Sequence, residues 1–555
     1  MTVPSPTIVP GDELLFLALG GAGEIGMNLS LYGCRGQWLM IDLGITFGDE
    51  TTPGIDIIMP DPSFIEAQRD RLAGLVLTHA HEDHIGAVPY LWPRLRCPIY
   101  ATPFTAEILR GKLDEAGLDA PITVVPLSGA FEVGAFKVEL VTLTHSIPEP
   151  NAVVIHTPFG PVLHTGDWKF DPAPLVGEVS DEAALRRLGE AGVLAMICDS
   201  TNVFQPGHSG SEAALRKSLI EIVGRYTGRV AMASFASNIA RIETMATVAA
   251  AHGRKPVLVG RALVRMVEAA RRTGYLDPGL VFHAEAEAEA MPRREALLIC
   301  TGSQGEPRAA LARIAAGEHP HVHLEEGDAV IFSSRIIPGN EKPIGRVVNR
   351  LVRAGVEVVT EKNEFVHVSG HPARDELMRM YQLVRPRIAV PVHGEPRHLA
   401  EQAGLARSCQ IPETVVVENG AVARLAPGHA GRVAQVHSGR LGADGIRLID
   451  LEAESLRERR RMSFNGSAVA TLAVSKEGRL MGEPQISVLG LINDDAEQEI
   501  KAEVAGAIRA AIDGLTAAER MDDEAIRECS RRALRRRLFD TLGRRPVTEI
   551  HLLRL

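Results

Sequence analysis

Between residues 77 and 89 an apolar run breaks into LTHAHEDHIGAVP, which puts His79, His81, Asp83 and His84 within six residues. On an extended strand end, residues two apart project to the same side, so His79 and His81 can pinch one ion. The chain then turns, and Asp83 and His84 can face a second ion beside the first. Mixed imidazole and carboxylate donors suit Zn2+ or Mn2+, whereas Mg2+ and Ca2+ prefer all-oxygen shells. A surface loop that happens to be His-rich is the bland alternative, and four potential ligands in so short a span weigh against it. The same strand-to-polar-loop pattern recurs: His145 ends VELVTLTH, Asp167 ends GPVLHTGD and His393 ends RIAVPVH. If these strands share a sheet, their ends converge on one cleft, which is where open α/β sheets place ligands.

The rest of the chain divides by rhythm. From Glu13 to about Asp199 short apolar runs alternate with Gly/Pro/Asp turns, with helical patterns such as FTAEILRGKLDEAG between some of them. From about Thr201 to Glu361 strand and helix alternate: RVAMASFASN, KPVLVG, RALVRMVEAARRTG, ALLICTGSQGE, DAVIFSSR, RVVNRLVRAG and VEVVT. That is the pattern of an α/β unit with a largely parallel sheet. The run AEAEAEA at 284–290 reads as a solvated helix. Beyond residue 362 the first style returns. DELMRMYQLV puts Leu377, Met380, Tyr381 and Val384 on one helix face, and VVVENGAVARL reads as a hairpin on an Asn-Gly turn. A last unit starts near residue 455, with strands SAVATLAVS, PQISVLGLI and VTEIHLLRL, a helix spaced by Ile500, Val504 and Ile508, and an Arg-rich helix through 531–537. The expected division is 1–204, 205–361, 362–450 and 451–555.

Composition limits the function classes. At 555 residues the chain exceeds one core. No apolar stretch reaches the length of a membrane span, and the N-terminus lacks a basic-then-apolar leader, so a cytoplasmic protein is expected. Six scattered cysteines without a CxxC pair argue against a disulfide framework and a thiolate zinc site. A net charge of −10 counts against a nonspecific nucleic-acid binder, though not against a local basic groove. GAGEIG at 21–26 fits a dinucleotide-binding turn, with Asp42 where a ribose-binding acid would stand. The following MNLSLYGCRGQWLMID reads as strand, turn, strand, whereas that fold needs a crossover helix there.

The series GGAGEIGMN, IDLGITFGDE, PGIDIIMPD, LTHAHEDHIGA, LTHSIPE, HTGDWKFDP, CDSTN, SFASNIARI, CTGSQGEP, FSSRIIPGNE, HVSGHP and PVHGEPRH, spread over about residues 13 to 400, resembles the metallo-β-lactamase superfamily in its β-CASP branch, and within it the ribonuclease J family. HxHxDH alone would support only the superfamily. The resemblance implies an α/β fold: a metallo-β-lactamase αββα sandwich, an inserted β-CASP α/β domain and a small C-terminal α+β domain. It implies two divalent ions per subunit, Zn2+ first and Mn2+ second. His79, His81 and His145 would hold one, Asp83, His84 and His393 the other, with Asp167 bridging and Asp42 orienting a ligand histidine. A hydroxide formed between the metals would attack phosphorus. His371 would serve as general acid or phosphate donor, Asp199 would be an acidic residue near the metals with an orienting role, and Asp83 would be catalytic as well as a ligand. A His371 that merely caps the helix ahead of DELMRM is the structural alternative.

Ala236, Ser237 and Asn238, with His367, Val368, Ser369, Gly370 and His371, resemble the family's pocket for a 5′-terminal phosphate and nucleotide. The expected activity is hydrolysis of single-stranded RNA, 5′→3′ from 5′-monophosphorylated ends with endonuclease action besides, in mRNA decay and rRNA maturation. A homodimer or homotetramer is implied. The arginines at 531–537 and 544–545 would touch RNA backbone or an oligomer interface, or form a solvated face. Two other classes compete: a small-molecule metallohydrolase, disfavoured by an insertion of this size, and a non-catalytic RNA-binding homologue, disfavoured because every expected ligand is present.

Overall fold

The computed structural model describes residues 8–492 and 496–555. Residues 1–7, on which part of the leader reading rests, lie outside the described residues. The chain forms two compact units: one runs to Thr46 and resumes over Met59–Gly439, the other comprises Phe47–Ile58 and Arg440–Leu555.

In the first unit, LLFLALG (Leu14–Gly20) is buried at every position, as a strand covered on both faces must be. It sits third in an eight-stranded sheet ordered Gly431–Gln435, Ala421–Ala426, Leu14–Gly20, Leu29–Cys34, Gln37–Ile41, Leu72–Val76, Ile99–Ala101 and Ile122–Val124. A seven-stranded sheet runs Glu413–Thr414, Ile388–Val392, Ala195–Asp199, Gly160–His164, Asn151–Thr157, Phe136–Thr142 and Ala130–Val133. Their inner faces share one core, with Phe16, Tyr32 and Ile41 from the first sheet and Val138, Val153 and Ile197 from the second. Helices Glu182–Ala191, Arg374–Val384 and Pro396–Ser408 flank the outer face of the second sheet, where Leu185, Leu377, Met380, Tyr381 and Leu405 join Met196 and Ala389. On the first sheet, Phe64 meets Trp38 edge-on. This is an αββα sandwich.

The alternating segment forms a six-stranded sheet, all of whose pairings are parallel, in the order His283–Ala284, Lys255–Val259, Ala296–Cys300, Val230–Ala233, Ala329–Phe332 and Glu357–Val359. The second unit packs helices Glu497–Asp513 and Asp523–Leu542 on one face of a three-stranded sheet, with Ile500, Val504, Ile508 and Leu534 buried beside Ala470, Leu472 and Ile550.

Three expectations are corrected. VVVENGAVARL is not a hairpin: Glu413–Thr414 pairs with Ile388–Val392 in one sheet, and Ala421–Ala426 pairs with Leu14–Gly20 in the other. The Asn-Gly turn carries the chain between sheets, and the Asn419 side chain is bonded to the Ala22 N–H and to Glu24 rather than closing a ribbon. AEAEAEA forms only a 3-10 turn over Glu285–Glu289, and Ala288 is buried in the parallel domain's core instead of solvated. The strands whose ends bear His79, His145, Asp167 and His393 do not share one sheet: Leu72–Val76 belongs to the eight-stranded sheet and the other three to the seven-stranded one. The cleft lies where the two sheets' ends meet.

Candidate metal centre

Strand Leu72–Val76 ends in Thr78 and His79, and the one-turn helix Glu82–Ile85 begins after His81, so Asp83 and His84 turn back towards the strand end. Gly44 makes this possible: a Cβ there would stand 1.7 Å from the Asp83 carbonyl oxygen. His145, Asp167 and His393 follow strands Phe136–Thr142, Gly160–His164 and Ile388–Val392. Asp42 and His393 both adopt positive φ, 62° and 53°, a costly conformation for a non-glycine residue that recurs at functional sites.

The donors fall into two sets that share Asp167. His79, His81, His145 and Asp167 have ligand atoms all within 4.8 Å of one another, and Asp83, His84, Asp167 and His393 form a second such group. His81 Nδ1 lies 3.0 Å from His79 Nε2 and 3.1 Å from His145 Nε2. One N–H can serve only one of those neighbours, so the three nitrogens point at a common centre. Asp167 Oδ2 stands 3.2 Å from His84 Nε2, 3.9 Å from His145 Nε2 and 4.0 Å from His79 Nε2. Its Oδ1 is 2.8 Å from His393 Nδ1 yet out of line for a hydrogen bond, leaving both atoms buried and unsatisfied. Buried polar atoms are almost always paired, and a cation between these would satisfy them.

Three of the histidines have an outer partner for the second ring nitrogen. His84 Nδ1 is 2.7 Å from Asp42 Oδ2, His145 Nδ1 is 2.6 Å from the Gly370 carbonyl oxygen, and His79 Nδ1 is 3.0 Å from Thr78 Oγ1. Thr78 also donates its N–H and hydroxyl to Asp42. A proton held on Nδ1 leaves Nε2 as the lone-pair donor, which is how metal-binding histidines are oriented. The donor set fits a pair of divalent ions.

Electrostatics agree with the division. Burial, together with neighbouring imidazoles, pushes His79 and His145 well below the ordinary histidine range and His81 down to about 3, so these rings are neutral. Burial also opposes charge on His84 and His393, but Asp167 and the other carboxylates around them outweigh it and raise both. For Asp167 burial favours the neutral acid, and His393, His84 and His371 overcome that to hold it ionised.

His371 and Asp199 lie beside the centre. His371 Nδ1 is 2.8 Å from Asp199 Oδ2 and 3.8 Å from Asp167 Oδ2, and Asp199 also accepts the Thr201 N–H. His371 is raised to about 9, with burial opposing and Asp199 and Asp167 dominating. Of the proposed pocket, Gly370 contributes its carbonyl to His145, and Ser369 Oγ accepts from Asn202 Nδ2 and the His371 N–H. Val368 is buried. His367 is held neutral by burial and by Arg241 and Arg335, with its Nδ1 unbonded. Ala236 and Ser237 occupy the turn after strand Val230–Ala233, and the Asn238 side chain caps helix Ile239–Ala251 by accepting the Arg241 N–H. That cap fixes the position of the Asn238 side chain at the turn.

The sequence reading missed the groups that join these pieces. Arg241, fully buried, pairs with Glu212 through two bonds of 2.8 and 3.0 Å and donates to Ser333, whose hydroxyl donates to the Val366 carbonyl just ahead of HVSGH. Glu376 accepts from the Phe170, Ser209 and Ala373 N–H groups. Lys169 and Asp171, 3.0 Å apart, are buried two and four residues past Asp167. The visible signal was charge inside apolar segments, as in SFASNIARI. The Gly370 carbonyl left no signal, because every residue has one.

Family comparisons agree with this architecture. The metallo-β-lactamase superfamily matches residues 28–232, the ribonuclease J β-CASP domain 227–351, the Zn-dependent metallo-hydrolase RNA specificity domain 355–413, and the ribonuclease J C-terminal domain 454–554. Ribonuclease J of Sinorhizobium meliloti is 42% identical over 548 residues, covering 98% of this chain and 97% of that protein. Ribonuclease J of Mycolicibacterium smegmatis is 38% identical over 549 residues, 98% of each. A crystal structure of a protein of unknown function from Enterococcus faecalis V583 superposes with a TM-score of 0.52 at 16% identity, covering 74% of this chain and 100% of that one, a likeness of fold alone. None of the described helices is long and apolar enough to cross a membrane. With this fold, this donor set and relatives matching along nearly its whole length, the chain belongs to the ribonuclease J family of metal-dependent, RNA-hydrolysing enzymes.

Proposed function

We propose that the chain degrades single-stranded RNA in the 5′→3′ direction from 5′-monophosphorylated ends, with internal cutting as a second mode, in mRNA decay and rRNA maturation. The observation that carries this reading is the pair of donor sets sharing Asp167, with His371 and HVSGH beside them. His79, His81 and His145 would hold one ion and Asp83, His84 and His393 the other, Asp167 serving both, with Zn2+ preferred over Mn2+. When bound, two such ions supply a nucleophilic water at neutral pH and positive charge for the phosphate oxygens. Asp42, Thr78 and the Gly370 carbonyl keep the ligand rings in the right tautomer. Asp199 orients His371 and favours its protonated form, which suits it to donate to a phosphate oxygen or to the leaving 3′ oxygen. The Gly370-flanked backbone, Ser369, His367 and the turn at Ala236–Asn238 form the cradle for the terminal phosphate and nucleotide.

The four segments 1–204, 205–361, 362–450 and 451–555 are the working division into lactamase, β-CASP, lactamase and C-terminal parts. A cytoplasmic homodimer or homotetramer is the working assembly. The test compares 5′-monophosphate and 5′-triphosphate RNAs, with and without chelator, for the wild type and Asp83→Ala. The metal-loaded wild type should degrade the monophosphate faster, chelator should stop it, and Asp83→Ala should lose most activity. No RNA cleavage by the metal-loaded wild type would overturn the reading.

A further inference from the structure

An enzyme whose chain carries a net charge of −10 must grip a polyanion locally. The basic run on helix Asp523–Leu542 is the obvious place, but it is largely neutralised: Arg531 and Arg532 bond Glu528, Arg536 faces Asp540 and Arg537 bonds Glu503. Among the described residues Arg535 alone of the run has no carboxylate in ion-pair distance, and two further uncompensated cations stand just past that helix. Gly543 ends it in a left-handed cap, and the exposed Arg544 and Arg545 follow, with no carboxylate in ion-pair distance among the described residues.

Two aromatic rings accompany them. Arg545 lies over the ring of Phe539, 4.7 Å from its centroid, and Arg544 donates to the carbonyl of Phe464 at the end of helix Glu454–Asn465. Phe464 is 80% exposed and Phe539 43%. Exposed phenyl rings beside guanidinium groups that no carboxylate neutralises suit stacked bases joined by phosphates, since every base has a face to stack and every linkage a charge to meet.

We propose that Phe464, Phe539, Arg544 and Arg545 form a platform for single-stranded RNA on the C-terminal unit, separate from the metal centre and indifferent to base sequence. The platform holds the body of a substrate whose 5′ end is being cut, so the inference rests on the ribonuclease reading. A protein partner is the competing occupant. It is disfavoured because two unneutralised cations on an acidic, RNA-degrading chain match the substrate's own charge.

The test uses the full-length, metal-loaded protein and two 5′-monophosphorylated substrates, a trinucleotide and a single strand of about 40 nucleotides. In Phe464→Ala/Phe539→Ala/Arg544→Gln/Arg545→Gln, KM for the long RNA should rise about tenfold or more, with kcat and the trinucleotide kinetics unchanged. The slope of log affinity against log salt should flatten by about 1.4, the loss of two phosphate contacts to a single strand. Equal kinetics for variant and wild type on the long RNA would sink the platform while leaving the ribonuclease intact. A changed molecular mass in solution with unchanged RNA affinity would assign the patch to a protein contact instead. A wild type inert on both substrates would refute the ribonuclease reading itself.

Discussion

Asp42 touches no bound group in the proposed chemistry, yet it sets the state of a residue that does. Its carboxylate, 2.7 Å from His84 Nδ1, holds the proton there and turns Nε2 towards Asp83 and Asp167. Asp42→Asn keeps the shape but can present an NH2 group to Nδ1 and removes the charge. Metal affinity should fall by about 10–100-fold, the usual effect of losing an outer partner, and the metal-free protein should melt lower as well, because the buried amide cannot accept all three bonds from Thr78 and His84. Titration with zinc reads the first quantity and calorimetry the second. Unaltered affinity would mean that His84 is oriented by Thr78 or Asn28 instead.

Glu212 makes a different case, where the loss is one of folding. It and Arg241 are both buried and doubly bonded. Glu212→Gln leaves a guanidinium in the interior with a neutral partner and should cost about 3–5 kcal/mol of stability. Burial raises the Glu212 carboxyl, but Arg241 outweighs it and holds the group below the ordinary range. A folded-state value lower than the unfolded one means that the unfolded chain binds more protons, so this contribution is complete above about pH 4.3 and fades as pH falls through the lowered value. Denaturant melts of wild type and variant should therefore differ most near neutrality and converge in acid. A gap that is constant with pH would show that the ionised carboxylate is not what stabilises Arg241.

Among elements, the helix Glu82–Ile85 is held against the loop at Gly44, whose Cβ would lie 1.7 Å from a backbone oxygen. Backbone cannot swing aside as a side chain can. Gly44→Ala should displace Asp83 and His84 together, lowering metal binding far more than it lowers secondary structure by circular dichroism. Retention of full metal content would show that the loop, not the helix, gives way. Much at this scale was legible in the sequence. Apolar periodicity marked the helix Arg374–Val384 by Leu377, Met380, Tyr381 and Val384, all buried, and the strand–helix alternation that forms the parallel sheet. The donor residues stood at strand ends where the chain turns polar, which is a local signature. Which sheet each strand joins is not local. The His79 strand pairs with Gln37–Ile41 and Ile99–Ala101, the His145 and Asp167 strands both pair with Asn151–Thr157, and the His393 strand joins that second sheet through Ala195–Asp199, far earlier in the chain; nothing in the strand-end pattern distinguishes these partners. Asn419-Gly420 closes no hairpin because its flanking segments pair with other strands, Ile388–Val392 on one side and Leu14–Gly20 on the other.

At the scale of the molecule, the centre is assembled from positions 42 to 393, and most of its donors hang on strand ends of two different sheets. Ions that bind only when both sheet ends are in place bind the folded state alone, so they must stabilise the whole first unit and not just the loop bearing His79–His84. At a free metal concentration 100 to 1,000 times Kd the gain is about 2.7–4.1 kcal/mol. The ligands bind as neutral imidazoles and ionised carboxylates, so protons compete with metal and the gain must shrink in acid. The sign is fixed: raising pH from about 5.5 to about 8 should widen the melting-temperature gap between metal-loaded and chelator-stripped protein, since histidines ordinarily titrate between those values. Calorimetry of both forms at both pH values measures it. A gap that narrows with rising pH would contradict imidazole ligation, and a metal-dependent shift confined to local protection around residues 77–89 in hydrogen exchange would mean that one loop binds the ions without the other strands.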